Sequence, residues 1–211
     1  MNVEDLIKNC LQELQKIGWE NKIKTQNSKL IFPKYRNKKQ RRSEQEARLL
    51  FIRELEKPEK PNFYYSIETP TNDIYKDFRG KAPKIGTGKS GNVDVTLYTK
   101  GIDKFEREHL VEFKFDNVDT CRKDFLKLLC DDNQCEKNYY INILKNTDDE
   151  TIPSLIEKYK DSIQYVYDTY SDKMVSNLLI IVGVLEKQEI YTFEEINKKN
   201  RNIKYKKERL L

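Results

Sequence analysis

Two short segments constrain the fold more than anything else in the chain. Asn92-Val93-Asp94-Val95-Thr96-Leu97-Tyr98 and Leu110-Val111-Glu112-Phe113-Lys114-Phe115 both alternate strictly in polarity, which is the period of a half-buried strand. Successive side chains on a strand point to opposite faces. Val93, Val95 and Leu97 are therefore expected on one face, with Asp94, Thr96 and Tyr98 on the other. In the second segment Val111, Phe113 and Phe115 share a face, and Glu112 and Lys114 share its reverse. Placed side by side, the two strands gather two carboxylates and an amine at one spot.

The segments around this pair read as alternating helices and strands. Residues 3–17 space Val3, Leu6, Ile7, Cys10, Leu11, Leu14 and Ile17 as one face of a helix that stops at Gly18. Between Trp19 and Phe32 the pattern suggests a short hairpin, Lys22–Lys24 with Lys29–Phe32. A second helix is expected over 43–57, opened by the capping-box pattern Ser43-Glu44-Gln45-Glu46 and buried along Ala47, Leu50, Phe51 and Leu55. Phe63–Thr69 reads as a strand ended by Pro70, and 71–91 as a long loop turning at Gly91 into the Asp94 strand. A polar connection over 99–108 leads to the Glu112 strand. Then follow a helix over 121–129 (Cys121, Phe125, Leu128 and Leu129 inward), a strand over 139–144 and a helix over 152–170. The apolar run Leu178–Leu185 has the character of a strand covered on both faces. From Ser43 onward the order is helix, three strands, helix, strand, helix, strand. That order predicts an α/β fold, a mixed central sheet with helices on both sides.

Length and charge set the remaining bounds. The 211 residues suit a single domain, with residues 1–42 as a helical and basic extension and 198–211 as a basic tail. No apolar run reaches the length of a membrane span. Residues 1–5 show neither the basic nor the apolar region of a secretory signal. The four cysteines (Cys10, Cys121, Cys130 and Cys135) form no disulfide framework. A cytoplasmic protein with reduced thiols and no membrane partner is expected. The overall net charge of +5 is unevenly distributed. Lys34, Arg36, Lys38, Lys39, Arg41 and Arg42 form a run of six positive charges without an acid, and 198–211 carries seven basic residues against Glu208. Removing these twelve net charges from +5 leaves the rest of the chain at −7. Concentrated basic charge points to a polyanion such as nucleic acid, and equally describes solvated loops.

The chemistry available to Asp94, Glu112 and Lys114 is narrower. Hard divalent cations such as Mg²⁺ take one or two carboxylates together with carbonyl oxygens, waters and substrate phosphate. Asp94, Glu112 and the Phe113 carbonyl meet that need, and Lys114 stands beside Glu112. There it can orient or deprotonate water, or offset charge developing on phosphorus. Of the acids on the upstream helix, Glu44 lies at the edge of the buried stripe while Glu46 has a capping role, which favours Glu44 as a further metal ligand.

Asp94 on one strand, Glu112-Phe113-Lys114 on the next and an acidic upstream helix resemble the PD-(D/E)xK nuclease superfamily. The resemblance covers about residues 43–144, although Val93 stands where the name has proline. It implies a restriction-endonuclease-like core with the order α-β-β-β-α-β and Mg²⁺-dependent phosphodiesterase activity, with Mn²⁺ as substitute metal. Asp94 and Glu112 would then be metal ligands and Lys114 the catalytic lysine. It further implies an endonuclease acting on DNA, with a restriction or phage-defence role. Cutting both strands of a duplex needs two such sites, and so a homodimer. The alternative is a non-catalytic nucleic-acid-binding or structural protein that keeps the fold.

Three other signals carry less. Gly86-Thr87-Gly88-Lys89-Ser90 imitates the end of a P-loop, but Pro83 occupies the position of its first glycine and a strand follows it rather than a helix. Its glycines and Lys89 suit close approach to a phosphate backbone instead. His109 is the only histidine and reads as a surface residue at a strand end. Cys121, Cys130 and Cys135 lack zinc-binding spacing.

Overall fold

The computed structural model describes residues 2–19, 29–37, 41, 43–57, 63–77, 82–116, 121–131, 135 and 137–210. Helix α1 (Val3–Lys16) opens with a capping box between Asn2 and Asp5 and buries the stripe read from its spacing. Short strands β1 (Gly18–Trp19) and β2 (Ile31–Phe32) pair in parallel, and Lys22–Lys24 of the expected hairpin lie outside the described residues. Helix α2 (Glu44–Leu55) begins as predicted: the Glu46 carboxylate accepts from Ser43 N at 3.0 Å and Ser43 Oγ at 2.6 Å.

Five further strands lead to the centre of the sheet: β3 (Tyr64–Lys76), β4 (Lys84–Ile85), β5 (Lys89–Lys100), β6 (Phe105–Phe115) and β7 (Lys137–Leu144). Helix α3 (Arg122–Cys130) connects β6 to β7, and α4 (Thr151–Tyr170) connects β7 to β8 (Asn177–Val184). Strands β9 (Glu189–Phe193) and β10 (Tyr205–Arg209) follow. Eight strands form one mixed sheet in the order β10-β9-β8-β7-β6-β5-β3-β4. The two crossovers through α3 and α4 make β6, β7 and β8 parallel; the other pairings are antiparallel.

This is the expected α/β architecture, with four α-helices among the described residues. One core packs α1 and α2 on the sheet through Leu11, Phe51, Val111, Phe113, Ile141 and Ile181. The other packs α3 and α4 through Phe125, Tyr140, Leu155, Ile180 and Val182. Strand β8 is apolar from Leu178 onward because it is covered on both sides. Gly183 leaves room there for Leu11 of α1, whose Cδ2 would lie 2.8 Å from a Cβ and would have to shift.

Several boundaries differ from the expectation. Pro70 does not end β3; the strand continues past it through a register shift between Pro70 and Ile74. Most of the expected 71–91 loop is therefore strand, and Gly91 lies inside β5 rather than at a turn. The turn is made at Gly86 and Gly88, with φ of +101° and +112°. Gly88 also passes so close to β3 that a Cβ would stand 2.0 Å from Tyr75 O. These glycines build a turn, and no helix follows them. The expected polar connection shrinks to a tight turn closed by Gly101 N donating to Lys104 O at 2.9 Å. The basic tail is not a tail, since β10 pairs with β9 along its whole length.

Candidate active site

The β5–β6 ladder starts at the Lys100↔Phe105 pair and stops at Val95↔Val111. Beyond that point β5 keeps its pairing with β3, and side chains take over the bridging to β6. Asp94 N donates to Glu112 Oε2 at 3.4 Å, and Phe113 N donates to Asp94 Oδ2 at 2.7 Å. Strict alternation fails at the same place. Val95 and Leu97 join the core under α1 and α2, whereas Val93 packs into the core under α3 and α4. The expected uniform apolar face of this strand is thus broken where the two strands separate.

The predicted residues meet there. Lys114 Nζ donates to Glu112 Oε1 and to the Phe113 carbonyl, both at 3.0 Å, and stands 3.8 Å from Glu44 Oε1 at the rim. Glu46 is occupied as the α2 cap and lies 3.9 Å from Arg41, so Glu44 is the helix acid that reaches the lysine.

Four further charged groups complete the site. Arg48, one turn after Glu44 on α2, bridges Glu68 and Asp94, with 3.7 Å to Asp94 Oδ1. Glu68 sits in the left-handed region at φ 50° where β3 bends. Lys127 on α3 donates to Glu112 Oε1 at 3.0 Å and to Asn92 O at 2.8 Å, and its ammonium is 3.3 Å from Asp124. Asp124 and Lys127 were legible as an acid and a base three residues apart on a helix otherwise apolar at its centre. Nothing in their spacing tied them to Glu112.

The electrostatics follow from burial. Asp94 is pushed up to about 7, first by desolvation and then by the neighbouring Glu112 charge. Burial also works to raise Glu112, but Lys127 and Lys114 outweigh it and hold the carboxyl below its ordinary value. Burial alone would lower Lys114, yet Asp124, Glu112 and Asp94 together raise it, so its ammonium stays protonated at neutral pH. Three largely buried carboxylates, Asp94, Glu112 and Asp124, thus face the half-buried Lys114 ammonium, the buried Lys127 ammonium and the Arg48 guanidinium.

Neither a family model, nor a curated protein, nor a solved structure matches the chain. Among the described residues, no group of three or more histidine, cysteine, aspartate or glutamate side chains stands ready to hold a metal ion by itself. The donor set nevertheless suits a hard cation: two carboxylates and a backbone carbonyl meet at the end of the β5–β6 ladder, where burial and the Glu112 charge disfavour ionised Asp94 and a bound cation would favour it.

The other expected contacts lie elsewhere. Lys89 is exposed at the start of β5, five residues before Asp94, about 17 Å away along a strand. Lys34 is half-buried, Arg36 is exposed and Arg41 turns toward Glu46; Lys38, Lys39 and Arg42 lie outside the described residues. The C-terminal charge is partly paired within the fold. Lys206 meets Glu208 at 2.6 Å, Lys207 meets Glu189 at 2.8 Å, and Arg201 lies over the Tyr167 ring at 4.3 Å. Strand β10 is four places from β6 in the sheet, about 19 Å at ordinary strand spacing. His109 is half-buried rather than exposed: it packs between Phe63 and Tyr139, and its Nδ1 lies 2.8 Å from the Lys137 carbonyl. All four cysteines are buried free thiols. No helix among the described residues is long and apolar enough to cross a membrane.

Proposed function

We propose that this protein is a divalent-cation-dependent phosphodiesterase of the PD-(D/E)xK type, a nuclease acting on DNA. The observation that carries the reading is the parting of β5 and β6, which brings Asp94, Glu112 and Lys114 together where backbone pairing has ended. The helix-strand-strand-strand-helix-strand order from α2 to β7, interrupted only by the two-residue β4, supports the same superfamily.

In this reading Asp94, Glu112 Oε2 and the Phe113 carbonyl hold Mg²⁺ or Mn²⁺, with Glu44 at the rim. The bound cation supplies Lewis-acid polarisation of the scissile phosphate and a more acidic water. Lys114 has its own task. Its ammonium is held protonated, so it acts as a hydrogen-bond donor and charge rather than as a base. It orients the attacking water or offsets negative charge on the phosphate oxygens. Water adds to phosphorus and gives up its proton to solvent, the opposite P–O bond breaks, and the leaving oxygen takes a proton from solvent. Lys34–Arg42 and Lys89 contribute phosphate contacts outside the site. Cutting both strands of a duplex implies a homodimer, and a restriction or phage-defence role fits such an enzyme.

One observation favours a second reading, a nucleic-acid-binding protein without catalysis. Glu112 is already neutralised by two ammonium groups, which is also what a retired site needs. End-labelled duplex DNA separates the two. A nuclease cuts it in Mg²⁺, stops in EDTA, and is inactive as Asp94→Asn, Glu112→Gln or Lys114→Ala with the fold intact. Full activity in any one of these variants contradicts the assignment. Binding without Mg²⁺-dependent cleavage supports the second reading.

A further inference from the structure

The parted strands are held together by a side chain that belongs to no motif. Lys127 reaches in from α3 and donates both to Asn92 O on β5 and to Glu112 Oε1 on β6. It therefore crosses the gap that the backbone ladder leaves open. It is enclosed: its side chain is 2% exposed, as is that of Asp124 beside it, and Leu126 and Leu128 on either side are fully buried.

Lys114 contrasts with it. Its Nζ donates to the same oxygen, Glu112 Oε1, at the same 3.0 Å, but its side chain is 13% exposed, and half-exposed Glu44 at the rim lies 3.8 Å away. A carboxylate oxygen offers about two acceptor positions. Two ammonium groups fill those of Oε1, which leaves Oε2 directed to Asp94. If Lys114 departed from a singly paired buried carboxylate, it would abandon an uncompensated charge. With Lys127 in place, Glu112 keeps a counter-ion and its orientation.

We propose that Lys127 is a positioning residue: it clamps Glu112 between the parted strands so that Lys114 is free to leave that carboxylate and act on substrate. The role in substrate chemistry rests on the phosphodiesterase reading; the clamp itself is a property of the folded protein. The two ammonium groups do different work, one fixed and one exchangeable.

The decisive readout is hydrogen exchange of the lysine ammonium groups by ¹⁵N NMR, without substrate or metal. The Lys127 ammonium should be protected and the Lys114 ammonium should exchange rapidly. In Lys127→Met, protection should pass to Lys114, now the sole ammonium partner of Glu112. Should that variant not fold, Asp124→Asn loosens the clamp without deleting it and should move protection in the same direction. A Lys114 ammonium as protected as that of Lys127 in the unaltered protein, or unchanged on substitution, overturns the proposal.

Single-turnover cleavage at saturating DNA and Mg²⁺ adds the functional arm. Lys127→Met should slow it by roughly 10–100-fold, with DNA affinity retained and Lys127→Arg restoring most of the rate. A Lys127→Met rate equal to the unaltered protein's, or a Lys127→Arg rate no higher than that of Lys127→Met, overturns the functional role. Absence of cleavage by the unaltered protein strikes the nuclease reading alone, since the exchange measurement decides the clamp without it.

Discussion

Asp94→Asn should make the metal-free protein more stable at alkaline pH, which is the reverse of what loss of a salt-bridged aspartate normally does. Asp94 is raised from 3.8 to about 7 by burial and by Glu112. An acid whose folded value is raised contributes its full stability below the unfolded value and loses it as pH rises through the folded one. The window is therefore about pH 4 to 7. The shift of about three pH units corresponds to at most about 4 kcal/mol at 1.4 kcal/mol per unit. Asparagine keeps an acceptor for the Phe113 amide and removes the charge, so on the order of 2–4 kcal/mol should be recovered at pH 8. Urea unfolding in EDTA at pH 4, 6 and 8 reads this directly. The two proteins should be nearly equal at pH 4 and diverge steadily above it. Saturating Mg²⁺ should then stabilise the aspartate protein, by about 2.7 kcal/mol at a hundredfold excess over Kd, and leave the asparagine variant unchanged. A variant that is less stable at pH 8, or a difference that does not vary with pH, would refute the reasoning and make Asp94 an ordinary partner of Arg48.

Three other outcomes can be measured. Glu44→Gln should weaken Mn²⁺ binding by calorimetry with little effect on stability; Glu46→Gln, whose amide oxygen can still accept from Ser43 N, should keep the capping box and leave both stability and Mn²⁺ affinity nearly unchanged. Replacing Lys38, Lys39, Arg41 and Arg42 by glutamine should weaken DNA binding for all sequences. It should also flatten log affinity against log salt by roughly one unit per lost phosphate contact, with single-turnover cleavage little changed. Gly88→Ala should destabilise by a few kcal/mol in thermal unfolding, because its φ of +112° and its approach to Tyr75 O both exclude a Cβ.

The strands and helices were legible wherever burial imposed a period. The buried stripes of α1 and α2 and the continuous apolar run of β8 appear as their spacing predicts. Asp94, Glu112, Lys114 and Glu44 could be placed together because alternation and helical phase are local properties. The missed features depend on tertiary contact. Pro70 lies within a strand because a register shift accommodates it, and the paired charges of 205–209 form a strand because β9 offers them an edge. Asp124 and Lys127 carry no pattern of their own within a short helix. Only the folded chain brings that helix against Glu112, and only there does the reason for two buried charges become visible. Arg48 and Glu68 meet across a bend that no local pattern announces.

The central claim is that the gap between β5 and β6 is a divalent-cation site. Anomalous diffraction from crystals soaked in Mn²⁺ tests it most directly. The account predicts a manganese peak about 2.1 Å from Asp94, from Glu112 Oε2 and from the Phe113 carbonyl, with the Lys114 ammonium moved off that carbonyl and Lys127 unmoved. A gap without manganese at saturating concentration, with Lys114 still seated on Glu112 and Phe113, would contradict it.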